Sequence, residues 1–178
     1  VTVSPRPAVT AMTATICSGD SFTLTPANGT NGVVPSGTTY SWSAPSVGGG
    51  VTGGVAGSGS SITGTLTNPT NTPQTATYTV TPTSGGCSGT SFTVTVTVNP
   101  APAIPNQTPP AICSGSAFTV SPVNGVPTAA TRVPAGTLYT WTVALNANVT
   151  GESNETTPQN SISQTLTNTT NTAQTVVY

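Results

Sequence analysis

The chain of 178 residues contains no histidine and no lysine. Its charged side chains are Arg6, Asp20, Arg132, Glu152 and Glu155 and nothing else. A nucleic-acid partner is excluded, because neutralising phosphates takes a basic footprint that two arginines far apart in sequence do not make. A polybasic membrane patch is excluded on the same ground. No apolar run approaches the ~18 residues of a spanning helix, so this segment is not expected to insert into a membrane. Catalysis also loses its usual parts. A serine or threonine nucleophile would have no histidine or lysine as its base, and Asp20 is the only aspartate. No glycine-rich loop follows a strand and opens a helix, so no phosphate cradle is expected. Without histidine and without a Cys-x-x-Cys pair, a metal site lacks its ordinary ligands. The reading is a protein that is not an enzyme and carries no cofactor and no metal.

What is present points to strands. The 19 glycines and 17 prolines make up about a fifth of the chain, just under the ~25–30% typical of low-complexity sequences. The apolar residues are not scattered. In SFTVTVTV (91–98), Phe92, Val94, Val96 and Val98 alternate with Thr93, Thr95 and Thr97. Period two marks a strand with one buried face, and the other face here is neutral hydroxyl. The chain is therefore expected to be folded and all-β. A hydroxyl surface rather than a charged one suits an extracellular setting.

The text is also written twice. ICSGDSFTLTPANG (16–29) returns as ICSGSAFTVSPVNG (112–125), TTYSWS (38–43) as TLYTWT (137–142), and TLTNPTNTPQTATY (65–78) as TLTNTTNTAQTVVY (165–178). The offset grows from 96 at Cys17/Cys113 to 100 at Tyr78/Tyr178, and most of the drift falls in one loop. VTVSP (1–5) likewise pairs with VTVNP (96–100). A period near 95–100 residues is too long for a solenoid turn and fits a whole β-sandwich domain. The expected organisation is the last strand of a preceding repeat at 1–5, a complete sandwich at 6–100, and a second sandwich at 101–178 lacking its final strands. Proline in the junction NPAPAIPNQTPP (99–110) favours extended backbone. Within the complete copy, strands are expected near 9–15, 21–26, 38–44, 49–54, 60–67, 74–82 and 90–98. Such a count fits an immunoglobulin-like sandwich.

The order CSG, FTLTP, YSW, TLTN, QTATYTVTPTSGGCSG, FTVTVTVNP resembles the PKD-like, immunoglobulin-like repeats of very large cell-surface proteins in Bacteroidota. Those proteins are exported by the type IX system and include adhesins of gliding bacteria. The WDFGDG-type signature of ordinary PKD domains is absent, and YSWSAP (40–45) stands in that region. The resemblance implies a non-catalytic repeat segment of an extracellular stalk, filament or adhesin. Its implied partners are neighbouring repeats or copies of the same protein, head to tail. The alternative is a carbohydrate-binding module that holds surface glycans with loops at one end of the sandwich.

Individual residues bear on this choice. Cys17 and Cys87 are read as a structural disulfide, which would close a loop of about 70 residues and contribute up to ~4 kcal/mol in the chain-entropy model. Cys113 repeats Cys17, and its partner would fall beyond Tyr178. Trp42 and Trp141 lie two residues after Tyr40 and Tyr139, on one face of a strand. They are read, with Tyr78 and Tyr178, as core aromatics rather than as a sugar-stacking platform. A buried Trp42 favours the stalk, and an exposed one beside a groove favours sugar binding. The threonine ladders serve as strand formers rather than as an ice-binding array. The loop 144–160, with Glu152 and Glu155, offers few carboxylates for calcium, which takes six to eight oxygens. The second copy is expected to expose an unpaired edge and an apolar face. Continuation of the same polypeptide is the preferred cover, and a donated VTVSP strand the alternative.

Overall fold

A computed structural model describes residue 1 and residues 3–178. It is all-β, and the described residues contain no helix. The chain divides into two compact units, Val1–Ala101 and Pro102–Tyr178.

Unit 1 carries eleven strands: β1 (Ala8–Val9), β2 (Met12–Cys17), β3 (Ser21–Leu24), β4 (Gly32–Val33), β5 (Thr39–Trp42), β6 (Ser46–Val47), β7 (Gly57–Gly59), β8 (Ile62–Thr65), β9 (Gln74–Ser84), β10 (Cys87–Ser88) and β11 (Phe92–Asn99). β1 and β4 pair with each other, and the other nine form two layers. One is the antiparallel pair β3–β8, extended by a bridge between Thr52 and Thr67. The other runs β2-β11-β9-β5-β7, with β6 and β10 also pairing with β9. Every pair in this sheet is antiparallel except β2–β11, which is parallel, from Met12 opposite Val94 to Cys17 opposite Asn99.

Period two decides what lies between the layers. On β11, Phe92, Val94, Val96 and Val98 are buried, and the intervening threonines face outward. On β9, Ala76, Tyr78 and Val80 do the same. Phe22, Ile62 and Leu66 close the core from the facing layer, and the Phe22 and Tyr78 rings meet at 5.6 Å between centroids. Gly57 must be small, because a Cβ there would lie 2.6 Å from the Trp42 ring.

Unit 2 repeats part of this plan with β12 (Ser116–Val120), β13 (Tyr139–Trp141), β14 (Val149–Thr150), β15 (Glu155–Gln159) and β16 (Ile162–Asn168). β12–β16–β14 corresponds to the β3–β8 layer, and β13–β15 to β5–β7. The counterpart of β2 would fall near 108–113, where Pro109 and Pro110 replace Thr13 and Ala14 and no strand forms. Proline has no N–H to give to a ladder. The counterpart of β9 reaches Tyr178 and makes only the bridge Ala144–Val177. Of the unit 2 hydrophobic residues, Val149 alone is buried.

The segment 1–5 includes Thr2, which lies outside the described residues. Val1 and residues 3–5 carry no strand, and Val1 and Val3 are fully or largely exposed.

Candidate functional site

Sequence and structure direct attention to three places: the cysteines, the aromatic pairs, and the turn built from Cys-Ser-Gly and Thr-Asn.

The Cys17–Cys87 disulfide is corrected. All three cysteines are free thiols, with Cys17 and Cys113 exposed and Cys87 half-buried. Register explains why. Because β2 is parallel to β11, Cys17 stands beside Asn99 at the far end of β11. Cys87 lies before the opposite end, opposite Ser84 in the β9–β10 hairpin. A strand from Phe92 to Asn99 spans about 23 Å at ~3.3 Å per residue, whereas a disulfide requires Cα atoms within ~7 Å. Cys113 repeats the exposed position of Cys17, so there is no pairing in unit 1 from which to expect a partner for it.

The aromatics divide by unit. Trp42, Tyr40, Tyr78, Phe22 and Phe92 are all buried in unit 1. Phe118, Tyr139, Trp141 and Tyr178 are half-buried in unit 2. The local geometry is repeated nonetheless. Phe118 and Tyr178 meet at 5.2 Å, as Phe22 and Tyr78 do at 5.6 Å, and Trp141 stands opposite Glu155 as Trp42 stands opposite Gly57. What differs is cover, since no strand among the described residues lies where β11 lies in unit 1.

The polar atoms of these aromatics are handled differently. The Trp42 indole N–H and the Tyr78 hydroxyl are buried without partners. In unit 2, Gln164 replaces Gly64. Its Oε1 accepts from the Tyr178 hydroxyl at 2.6 Å, its Nε2 donates to the Ser153 carbonyl, and the Trp141 indole donates to that same carbonyl at 3.2 Å. Burial raises the pKa of Tyr40, Tyr78 and Tyr139. For Tyr178, burial and then the Glu152 carboxylate do so.

The third place is the most faithfully copied. In unit 1, Gly19 donates to the Leu66 carbonyl at 2.8 Å, Ser18 Oγ accepts from Asn68 N–H at 2.9 Å, and Asp20 N–H bonds the Cys17 carbonyl. In unit 2, Gly115, Ser114 and Ser116 repeat all three with Leu166, Asn168 and Cys113. Gly19 and Gly115 hold φ of 95° and 84°, a region that favours glycine. The Asn68 and Asn168 side chains each accept from the amide and hydroxyl of the threonine two residues on and donate to a threonine carbonyl four residues on. Asn68, fully buried, makes one further bond: its Nδ2 donates to the Val98 carbonyl of β11 at 2.8 Å. The clamp therefore ties β8 and its following turn to the last strand of the unit.

The sequence reading did not single out Asn68, Ser18 or Gln164. A signal for the first two was available, since CSG and TLTN are verbatim in both copies and Asn68 shares the inward parity of Ile62 and Leu66.

Both Glu152 oxygens accept from Asn146 N–H, and Glu155 Oε1 accepts from Thr157 N–H, so these carboxylates brace their own loops. Among the described residues no three His, Cys, Asp or Glu side chains gather as metal ligands, and no helix is long and apolar enough to cross a membrane. Two surface clefts are open: one of about 320 Å³ is lined by Thr39, Tyr40, Ser41, Ser58, Ser60 and Thr83, and one of about 460 Å³ lies beside Leu145 and Glu152.

A comparison with curated proteins finds no match. A family model described as PKD-like domain matches twice, over residues 14–102 and 110–178. These spans cover most of both units, and the chain belongs to the PKD-like domain family as two tandem copies.

Proposed function

We propose that this chain is a non-catalytic structural segment of an extracellular stalk, filament or adhesin, in which each PKD-like unit is a bead that transmits tension. The parallel pairing of β2 with β11 carries this reading. Past the two-residue β1, the polypeptide enters the main sheet of unit 1 at Met12 and leaves it at Asn99. Tension through the unit pulls β2 toward its N-terminal end and β11 toward its C-terminal end. Parallel neighbours pulled in this way slide along each other. The hydrogen bonds between them lie across the strands, so all are loaded together rather than broken one at a time.

Other features support the reading. The outward faces of β9 and β11 are threonine, neutral and compatible with crowding beside other copies. The proline-rich segment 99–110 favours extended backbone. The resemblance to Bacteroidota surface repeats supports a cell-surface location reached by type IX export, with neighbouring repeats as head-to-tail partners. Glycan binding through a stacking platform on unit 1 is disfavoured, because all five of its aromatics are buried.

The location is tested with the exposed thiols. A membrane-impermeant maleimide applied to intact source cells is expected to tag Cys17 and Cys113. Labelling that appears only after lysis contradicts an extracellular segment.

A further inference from the structure

We infer that the outer edge of β2 in unit 1 is a docking edge for β2 of a second copy of this chain. The two strands pair antiparallel about a two-fold axis at Thr15, and two main sheets become one continuous sheet. Such pairing does not rest on the stalk reading. The direction of the β2 backbone groups carries it, together with the absence of any edge protection on this strand.

β2 is an outermost strand of the main sheet, and β11 is its one strand partner among the described residues. At the end of this pairing Ser18 N–H bonds the Asn99 carbonyl. Successive residues of a strand turn their N–H and C=O to opposite sides. Ile16, Ala14 and Met12 therefore turn theirs to β11, and Cys17, Thr15 and Thr13 turn theirs to the open edge. Of these outward groups, only the Cys17 carbonyl has a hydrogen-bond partner among the described residues, the Asp20 N–H at 3.0 Å. The side chains of Thr13, Thr15 and Cys17 are exposed, whereas Met12, Ala14 and Ile16 pack half-buried against the core. An unpaired edge is a template for another chain, and natural sheets blunt it with charge, proline or a bulge. MTATIC carries no charge and no proline, and its register with β11 runs unbroken. The second repeat is written differently at this place, with Pro109 and Pro110 for Thr13 and Ala14. Pro109 removes the N–H that Thr13 directs to the edge, so the open edge belongs to unit 1.

The same edge specifies its occupant. Thr13, Thr15 and Cys17 lie symmetrically about Thr15. An antiparallel copy set on a two-fold axis there brings Thr15 opposite itself and Thr13 opposite the partner's Cys17. All the outward residues then meet as hydrogen-bonded pairs, each exchanging both of its bonds. No charged side chain lies between Arg6 and Asp20, so two copies of the strand bring no like charges together. Threonine opposite threonine stabilises an antiparallel pair. On the inner face, Met12, Ala14 and Ile16 gain cover as residues of a central strand rather than of an edge. The opposite edge of the sheet, β7, is a strand of 3 residues, Gly-Ser-Gly, and offers less to pair. A contact that uses the same patch on both chains is closed and stops at a dimer.

The test is sedimentation equilibrium of the full chain over a rising concentration series in reducing buffer. A shift from the mass of one chain to that of two is expected. Thr13→Pro, which copies the second repeat, should abolish the shift and leave the unit 1 melt in place, since an edge strand tolerates proline where its N–H faces solvent. Thr15→Lys sets a charge against itself on the two-fold axis and should weaken association several-fold at low salt, with recovery as salt rises. Should Thr13→Pro unfold unit 1, Thr15→Lys and a cross-link decide. Thr13→Cys, with Cys87→Ser and Cys113→Ser, brings a thiol opposite the partner's Cys17. The ~5.5 Å between Cα atoms of a hydrogen-bonded pair lies within the ~4.4–6.8 Å that a disulfide spans. Mild oxidation with copper-phenanthroline should give a covalent dimer whose mass-mapped bridge joins positions 13 and 17. A chain that stays monomeric at every concentration, a dimer that survives the substitutions at Thr13 and Thr15, or a bridge joining other positions overturns the inference. Assembly that continues beyond two chains, as pairing of β2 with β7 of the next copy would give, overturns it as well.

Discussion

Replacing Asn68 by alanine probes the clamp where it is buried. The side chain makes four hydrogen bonds: to the Thr72 and Val98 carbonyls, each at 2.8 Å, and from the Thr70 amide and hydroxyl at 2.9 and 2.8 Å. At about 1 kcal/mol net each, their loss comes to ~4 kcal/mol. The Thr72 carbonyl keeps a bond from the Thr70 hydroxyl at 2.9 Å, which returns part of this. The Thr70 amide loses its acceptor, a penalty that fully buried Asn68 leaves water poorly placed to relieve. We expect a destabilisation of about 3 kcal/mol. Asn168→Ala removes three bonds of the same kind, but the residue is half-exposed, so water replaces most of them and about 1 kcal/mol is expected. The assay is urea unfolding followed by tryptophan fluorescence. A Trp141→Phe background isolates Trp42 as the reporter of unit 1, and Trp42→Phe does the reverse. Equal costs at Asn68 and Asn168, or a cost below about 1 kcal/mol at Asn68, would refute the reasoning that the fourth bond and burial make this residue the tie between β8 and β11.

Further outcomes follow from the same structure. Gly57→Ala forces a methyl within 2.6 Å of the Trp42 ring and should cost ~1–3 kcal/mol by overpacking, measured by thermal melt; a neutral change would contradict that packing. Without histidine or lysine, the melting temperature should be flat from about pH 6 to 9. The folded-state pKa values of Tyr40, Tyr78, Tyr139 and Tyr178 are raised, so their neutral forms favour the fold. That stability is complete below the ordinary value of 10.0 and is lost as pH climbs through and above it. A melting temperature that rises above pH 10 would contradict the sign. In native, non-reducing conditions, thiol labelling should modify Cys17 and Cys113 quickly and Cys87 more slowly. A mass two daltons low, with Cys17 and Cys87 both unreactive, would restore the disulfide.

Much of unit 1 could be read directly from its letters. Strands β9 and β11 are long, alternate strictly, and pack both outer and inner faces as their period dictates. The short strands were not legible. β7 is Gly-Ser-Gly, with no apolar period at all, and forms because β5 offers it an edge and Trp42 needs a flat neighbour. β2 falls at Met12–Cys17 rather than near 9–15, since its limits are set by its partner β11 and not by its own residues. The same long-range choice, parallel rather than antiparallel, defeated the disulfide reading, because cysteine spacing says nothing about strand direction. The repeat predicted equivalent aromatics in unit 2, and their local geometry is equivalent. Their burial is not, because burial belongs to the covering strand and not to the aromatic residue.

The most direct test of a tension-bearing bead is to pull on it in two directions. In single-molecule force spectroscopy of the full chain, handles at positions 10 and 101 load β2 against β11 in shear. Handles at Cys17 and position 101 pull the neighbouring C-terminal ends apart and open the same pair bond by bond. Unit 1 is expected to rupture at a distinctly higher force in the first geometry. Equal forces in both, or a lower force in shear, would contradict the claim that this fold is arranged to carry tension along the chain.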